Sequence, residues 1–158
     1  EPTTALDVTT EAQILDVMRD LQNELGMTIV FITHNLGVVA QMCDEVAVMY
    51  LGRVVERAPI ETIFYEPKHP YTSALLRSIP SMQSESRVKL PTIAGSIAHP
   101  FNRPKGCPFH PRCGHFMQGV CNENQPKLVE IDDEHYVSCF LYSDETISSA
   151  SPLTEKNI

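Results

Sequence analysis

The sequence predicts an α/β domain that is followed by an irregular, proline-rich extension. Apolar side chains recur at helical spacing within residues 9–25, at Ile14, Met18, Leu21 and Leu25. This spacing predicts an amphipathic helix. A short apolar, β-branched run follows at 28–33, which is typical of a strand buried on both faces of a parallel sheet. Helices that alternate with such strands indicate the α/β class.

The next elements continue the alternation and then close a hairpin. Residues 35–42 predict a short second helix, and 46–51 form another apolar strand. Gly52 turns the chain into 53–56, a natural antiparallel partner for the strand before it. Only two or three strands are present, so we expect an incomplete parallel sheet with helices and a β-hairpin. We assign residues 1–58 to this domain.

The composition changes at Pro59. Seven of the twelve prolines lie between Pro59 and Pro104, where they separate short helical segments at 60–65 and 71–79. We assign residues 59–142 to an extension. Residues 143–158 are rich in Ser, Thr and Glu and poor in apolar residues, and we predict a disordered tail there.

Length and charge argue against several classes of function. The 158 residues carry a net charge of -8, which argues against nonspecific nucleic-acid binding and against a polybasic membrane surface. No apolar run approaches the roughly 18 to 20 residues that span a bilayer, so we expect a soluble protein. The chain opens without Met and without a signal-peptide pattern, and we interpret it as a fragment.

Two short motifs carry a resemblance to a known family. Residues 1–7, Glu-Pro-Thr-Thr-Ala-Leu-Asp, resemble the sequence that follows the Walker B strand of ABC ATPases. The pair Thr33-His34 resembles the switch histidine after the next strand of that family. Their order and spacing also match the family. The chain is therefore similar to the C-terminal part of a P-loop ABC ATPase.

The resemblance implies a role for each motif residue. Glu1 would be the catalytic carboxylate, and His34 the switch residue that contacts the γ-phosphate. The D-loop, which contacts a second subunit at the nucleotide site, would comprise Thr4, Ala5, Leu6 and Asp7. A carboxylate can orient or deprotonate the attacking water in phosphoryl transfer. Plainer interpretations remain open, because Asp7 can simply cap a helix and a lone histidine is more often structural.

The phosphate-binding half of the site is missing from the sequence. No G-x-x-x-x-G-K-[ST] loop occurs in the chain. By resemblance, this loop, the signature motif and the magnesium-binding aspartate of Walker B lie upstream of Glu1. We therefore expect ATP and Mg²⁺ to be bound by the full-length protein, and we expect the fragment alone to be inactive.

Residues 64–76 identify the subfamily by resemblance. The run His69-Pro70-Tyr71-Thr72 is similar to the stretch that marks the C-terminal extension of oligopeptide and dipeptide importers. We assign no chemistry to His69, and Pro70 suits a first helical turn. The resemblance implies peptide import by a protein that is cytoplasmic and peripheral on the inner face of the cell membrane. Its implied partners are a second ABC ATPase subunit, transmembrane permease subunits and, only indirectly, a substrate-binding protein.

Four of the five cysteines are clustered, with the pattern C-x5-C-x7-C-x17-C, and they are Cys107, Cys113, Cys121 and Cys139. Two disulfides, a zinc site and a 4Fe-4S cluster are the competing interpretations. The histidines that can replace a zinc ligand are His110, His115 and His135. The resemblance favours the 4Fe-4S cluster, since peptide-importer ATPases of this family commonly carry a similar motif. Cys43 lies in an apolar neighbourhood and is interpreted as a buried hydrophobe.

The sequence leaves three functions open. The first is the ATP-hydrolysing subunit of a peptide importer. In it, the metal bound by the cysteines either stabilises the fold of the extension or senses redox state. The alternative is a stand-alone iron–sulfur or zinc-binding regulatory module derived from a truncated ATPase. The third is an iron–sulfur electron carrier. We also expect the isolated fragment to dimerise, because strand 28–33 would lack its sheet neighbours.

Overall fold

The computed structural model describes residues 6–79, 93, 95–99 and 101–143. The chain divides into two compact units, residues 1–46 and 47–158. The elements in chain order are α1 (Val8–Leu25), α2 (Leu36–Met42), β1 (Glu45–Tyr50), β2 (Arg53–Pro59), α3 (Ile60–Tyr65), α4 (Pro70–Arg77), β3 (Val129–Asp132) and β4 (His135–Val137). Single 3-10 turns lie at His110–Arg112 and Phe140–Tyr142. Within the described ranges, no helix is both long enough and apolar enough to cross a membrane.

Helix α1 is confirmed, and its two ends have clear physical causes. The carboxylate of Asp7 accepts hydrogen bonds from the backbone N–H groups of Thr9 and Thr10, each at 3.0 Å. These bonds satisfy donors that the first helical turn leaves unpaired. Gly26 ends the helix in the left-handed conformation, with φ of 61°.

Helix α2 is also confirmed. The side chain of Asn35 caps it by accepting from the N–H groups of Gly37 and Val38. Within the first unit, Arg19 of α1 donates to the carbonyl oxygen of Gln41 in α2 at 3.0 Å. This bond also satisfies one of the terminal carbonyl groups of α2.

The predicted buried strand at 28–33 is wrong for this structure. The segment has no regular secondary structure, and the side chains of Val30 and Ile32 are 86% and 71% exposed. A strand exists only where a neighbour accepts and donates its backbone hydrogen bonds. None of the described residues pairs with 28–33, so its apolar, β-branched sequence has no sheet to join.

The hairpin is confirmed. β1 and β2 are hydrogen-bonded neighbours that are joined by Leu51 and Gly52, whose φ angles are 46° and 75°. Two successive residues with positive φ form the turn that matches the right-handed twist of antiparallel strands. Glycine adopts this conformation without strain.

The sheet differs from the expected parallel one. Four antiparallel strands are ordered β1-β2-β4-β3, with Glu56 opposite Val137 in the β2–β4 pair. β3 and β4 were not predicted, although the alternation of Val129 and Ile131 with acidic residues was a usable signal. The sheet that contains the hairpin is thus completed by β3 and β4, which lie in the extension. The domain boundary assigned after residue 58 stays a prediction.

The two short helices of the extension are confirmed. α3 occupies 60–65 as expected, and α4 starts at Pro70, where the missing N–H of proline costs nothing. Within the described part of the extension, no helix longer than one turn occurs after α4. Residues 80–92 and the predicted tail after Ser143 lie outside the described residues.

Candidate functional site

The predicted nucleotide-site residues fall partly outside the described structure. Glu1, Thr4 and Ala5 are not among the described residues. Leu6 is 38% exposed, and Asp7 is the N-cap of α1, as its plainer interpretation holds. Hydrogen bonds to Asp7, chiefly from Thr10, lower the pKa of its carboxyl. The D-loop role of these positions stays a prediction.

His34 lies at a turn in the chain just before α2. The residue is exposed, and the Asn35 N–H next to it donates to the Thr33 hydroxyl at 3.0 Å. This bond, together with the Asn35 cap, fixes the backbone on both sides of the imidazole. The structure therefore presents His34 on the surface of the first unit. Its role as a switch residue stays a prediction.

An aromatic cluster supports the extension. The ring of Phe109, which is 2% exposed, lies 5.3 Å from that of Tyr50 and 5.4 Å from that of Tyr71. Tyr50 and Tyr71 are themselves 4.7 Å apart. Offset and edge-on pairs at such distances add to the burial of apolar surface. The cluster joins β1, α4 and the loop that carries the first two clustered cysteines.

The loop from Cys107 to Cys113 is wound into tight turns. The backbone N–H of His110 donates to the carbonyl oxygen of Cys107, and that of Cys113 donates to the carbonyl oxygen of His110. The imidazole Nδ1 of His110 also donates to the Cys107 carbonyl, at 2.8 Å. These bonds place the two cysteines at the two ends of a compact loop that contains the buried Phe109.

Gly106 allows the third cysteine to approach the first. The Cys107 N–H donates to the Cys121 carbonyl oxygen at 2.8 Å. Gly106 has a φ of 72°, and a β-carbon there would lie 2.8 Å from the backbone of both Asn122 and Asn124 and even closer to the Cys121 oxygen. Only glycine fits this position without moving the neighbouring backbone.

Cys139 reaches the same region from the sheet. It lies two residues after the end of β4, and the N–H of the intervening Ser138 donates to the carbonyl oxygen of Val55 at 2.8 Å. The four cysteines Cys107, Cys113, Cys121 and Cys139 all line one narrow pocket, together with His69, His110, His115 and several apolar side chains. The structure thus brings together all four clustered cysteines that the sequence singles out. No disulfide joins any two of them.

The pocket does not have the geometry of a single-ion site. Among the described residues, no group of three or more His, Cys, Asp or Glu side chains is arranged to hold a metal ion. His135, one of the candidate zinc ligands, faces elsewhere, because its Nε2 donates to the carboxylate of Glu56 at 2.8 Å. His110 and His115 do line the pocket.

The thiols of the pocket lie in apolar surroundings and influence one another. Burial raises the pKa of Cys107, Cys113 and Cys139, that of Cys139 to about 12. Neighbouring cysteines add to each shift because two thiolates repel. The four sulfur atoms are therefore close enough for a thiolate at one cysteine to raise the pKa of another.

A buried polar network beside the pocket was missed from the sequence. Glu56 and His135 are 0% and 1% exposed, and the Glu56 carboxylate also accepts from the backbone N–H groups of Lys68 and His69. Burial lowers the pKa of His69 to about 4, so its neutral Nδ1 accepts the Tyr71 N–H and caps α4. No local pattern signals a network whose members are 79 residues apart.

The chain is similar in sequence to known transport proteins. Residues 55–121 match the family described as "Oligopeptide/dipeptide transporter, C-terminal region". The chain is 47% identical over 140 residues to the dipeptide transport ATP-binding protein DppF of Haemophilus influenzae, covering 89% of this chain and 42% of that protein. It is 50% identical over 145 residues to the oligopeptide transport ATP-binding protein AppD of Bacillus subtilis, covering 92% and 44%. The oligopeptide transport ATP-binding protein OppD of the same organism is 47% identical over 141 residues, with 89% and 39% covered.

The names of these relatives bear on the competing functions. The chain spans about two-fifths of the length of the curated relatives it matches. The relatives described above are named as transport ATP-binding proteins, and others are named as putative peptide import ATP-binding proteins. None of these names supports a stand-alone regulatory module or an electron carrier.

The glycine at 106 yields a test of the pocket geometry. We expect Gly106→Ala to lower the free energy of unfolding by about 2 to 4 kcal/mol, the sum of backbone strain at positive φ and overpacking against the 121–124 backbone. Urea unfolding followed by circular dichroism measures this change. The matched control is Gly119→Ala, because Gly119 also has a positive φ, of 80°, but has no atom within 4 Å of its would-be β-carbon. Equal losses for the two variants would contradict the close approach of Gly106 to Cys121.

Proposed function

Because the chain belongs to the oligopeptide/dipeptide ABC transporter family as the C-terminal part of an ATP-binding subunit, we propose that it serves ATP-driven import of peptides. The observation that carries this proposal is an identity of about one half to such subunits over nine-tenths of the chain. In the proposed full-length protein, two ATP-binding subunits close on ATP and Mg²⁺, and hydrolysis reopens them. Membrane-spanning permease subunits use this motion, and the peptide itself does not touch the ATP-binding subunit.

The first unit supplies one side of the proposed nucleotide site. Glu1 orients or deprotonates the attacking water, and His34 contacts the γ-phosphate. The exposure of His34 and the capped turns around it support this role, since a residue that contacts nucleotide must be reachable and held in place. Leu6 and Asp7 belong with Thr4 and Ala5 to the proposed contact with the second subunit.

The pocket of the second unit is the proposed site of a metal cluster. A single ion needs its ligands within about 2.0 to 2.3 Å, and the described side chains do not offer that arrangement. A 4Fe-4S cluster takes one thiolate at each of four separate iron atoms, so its ligands stand further apart. Four cysteines around one pocket supply the number of thiolate ligands that such a cluster takes. When bound, the cluster cross-links the four cysteines through metal–thiolate bonds and supplies a one-electron redox centre.

The role we propose for this site is structural. The chain around the cysteines consists of turns and two single 3-10 turns, and such a segment gains folding free energy from four metal–thiolate bonds. Sensing of redox state is the second candidate role for the same site. The burial of Cys107 and Cys121, which are 9% and 7% exposed, favours the structural role because a redox sensor must be reached by its oxidant.

Substitution of the proposed catalytic carboxylate tests the ATPase function. In a full-length subunit that carries this sequence, Glu1→Gln should lower kcat for ATP hydrolysis by about 10²- to 10⁴-fold, as expected when a general base is lost. Nucleotide binding should persist. Steady-state phosphate release and equilibrium binding measure the two quantities. The exposed Glu24 of α1 provides the control, since Glu24→Gln should leave turnover unchanged. Undiminished turnover in Glu1→Gln would remove Glu1 from the catalytic site.

Metal content tests the cluster. Anaerobic purification should yield about four irons and four sulfides per chain with a broad visible charge-transfer absorption. Cys113→Ser should lose most of this iron, whereas Cys43→Ser should keep it, because Cys43 does not line the pocket. A colourless chain that contains one zinc ion would show that the site binds zinc and not an iron–sulfur cluster. A chain that takes up neither metal under reducing conditions would refute the proposal.

Self-association tests the exposed apolar surface of the first unit. Among its described residues, the large exposed apolar side chains are Leu6, Val8, Val17, Leu21, Leu25, Met27, Val30 and Ile32. We expect the isolated chain to dimerise at micromolar concentration, because such surfaces pair with one another. Sedimentation velocity measures the association, which Val30→Lys should weaken and Met49→Lys, an exposed control in β1, should not. A strictly monomeric wild-type chain would contradict this expectation.

A further inference from the structure

The carboxylate of Glu56 is the meeting point of three chain segments. Its Oε1 accepts from the Lys68 backbone N–H at 2.7 Å and from the His135 imidazole at 2.8 Å. Its Oε2 accepts from the backbone N–H of His69 at 3.1 Å. Because Glu56 and His135 are fully buried, water cannot replace these bonds. The carboxylate therefore ties β2 to β4 and to the turn that precedes α4.

Cys139 is anchored on both sides to the segments that this carboxylate joins. On one side, the Ser138 N–H donates to the carbonyl oxygen of Val55, the residue before Glu56. On the other side, the hydroxyl of Tyr142 donates to the carbonyl oxygen of Lys68 at 3.2 Å. The position of the Cys139 backbone thus depends on β2 and on the turn at Lys68 staying together.

His69 also connects the Glu56 carboxylate to the cysteine pocket. Its backbone N–H donates to the Glu56 carboxylate, its ring Nδ1 accepts the Tyr71 N–H, and the residue lines the cysteine pocket. His69 is therefore part of the support of the pocket.

We propose that Glu56 is a positioning residue that holds Cys139 on the pocket with Cys107, Cys113 and Cys121. This inference rests on the proposed function in so far as the four thiols share one metal cluster. The first three cysteines lie on one stretch of chain and are held by its own turns and by the Cys107–Cys121 backbone bond. Only Cys139 comes from the sheet. Glu56 therefore determines whether the site has four ligands or three.

The experiment compares Glu56→Gln with the wild-type 158-residue chain. Glutamine keeps the shape of the side chain, but it replaces one acceptor oxygen by an NH₂ group that faces an N–H donor. We expect alkylation of Cys139 in the reduced, metal-free chain to become about 10- to 100-fold faster, the factor that corresponds to one lost hydrogen bond to a charged group. Alkylation of Cys107 and Cys121 should stay within about twofold of the wild-type rate. Peptide mass spectrometry measures each cysteine separately.

The control is a variant that destabilises the same unit without touching the network. Ile63 of α3 is 1% exposed, and Ile63→Ala should cost a similar free energy through a cavity. It should speed alkylation of all four cysteines together. If Glu56→Gln gives the same uniform pattern at equal stability, or no change at Cys139, the positioning role is refuted.

Two further measurements keep the outcomes separate. If Glu56→Gln does not fold, Tyr142→Phe removes only the bond to the Lys68 carbonyl and should still expose Cys139 selectively; an unchanged Cys139 would then refute the inference. In the iron-loaded chain, Glu56→Gln should lose iron to a chelator as fast as Cys139→Ser does. A wild-type chain that takes up no iron refutes the cluster, whereas the alkylation pattern still decides the role of Glu56.

Discussion

The buried carboxylate of Glu56 is the constraint on which the second unit depends. A fully buried acceptor must be hydrogen-bonded, and leaving it unpaired costs about 1 to 3 kcal/mol or more. Three N–H groups from β4 and from the turn before α4 meet this need. The hairpin, the short helices and the last two strands can therefore satisfy this group only when they are assembled together.

Two other contacts position the cysteine pocket on this assembly. The ring of Phe109 fixes the loop of the first two cysteines against Tyr50 and Tyr71. Gly106 lets the backbone of Cys107 bond to that of Cys121. The thiols converge because packing, a tight backbone approach and a buried carboxylate act on different segments around the pocket. An irregular segment without long helices achieves this only through such specific contacts.

The first unit illustrates the opposite situation. Each of its two helices has a side-chain N-cap from a neighbouring residue, so local sequence indicates where they begin. The run at 28–33 has the composition of a buried strand but forms none and leaves Val30 and Ile32 exposed, since a strand needs a hydrogen-bonded neighbour. The relatives are more than twice as long as the chain, and the proposed catalytic function of Glu1 and His34 belongs to that longer protein.

The sequence by itself determined the features that depend on neighbouring residues. Helices α1 to α4, the Leu51–Gly52 hairpin and the family resemblance all follow from short-range patterns, as do the four clustered cysteines. Only the tertiary structure decided the antiparallel sheet, the Glu56–His135 network and the shared pocket. Each of these joins residues far apart in the chain, such as the 79 positions between Glu56 and His135. No local propensity specifies such a pairing, because its free energy exists only once both segments are packed together.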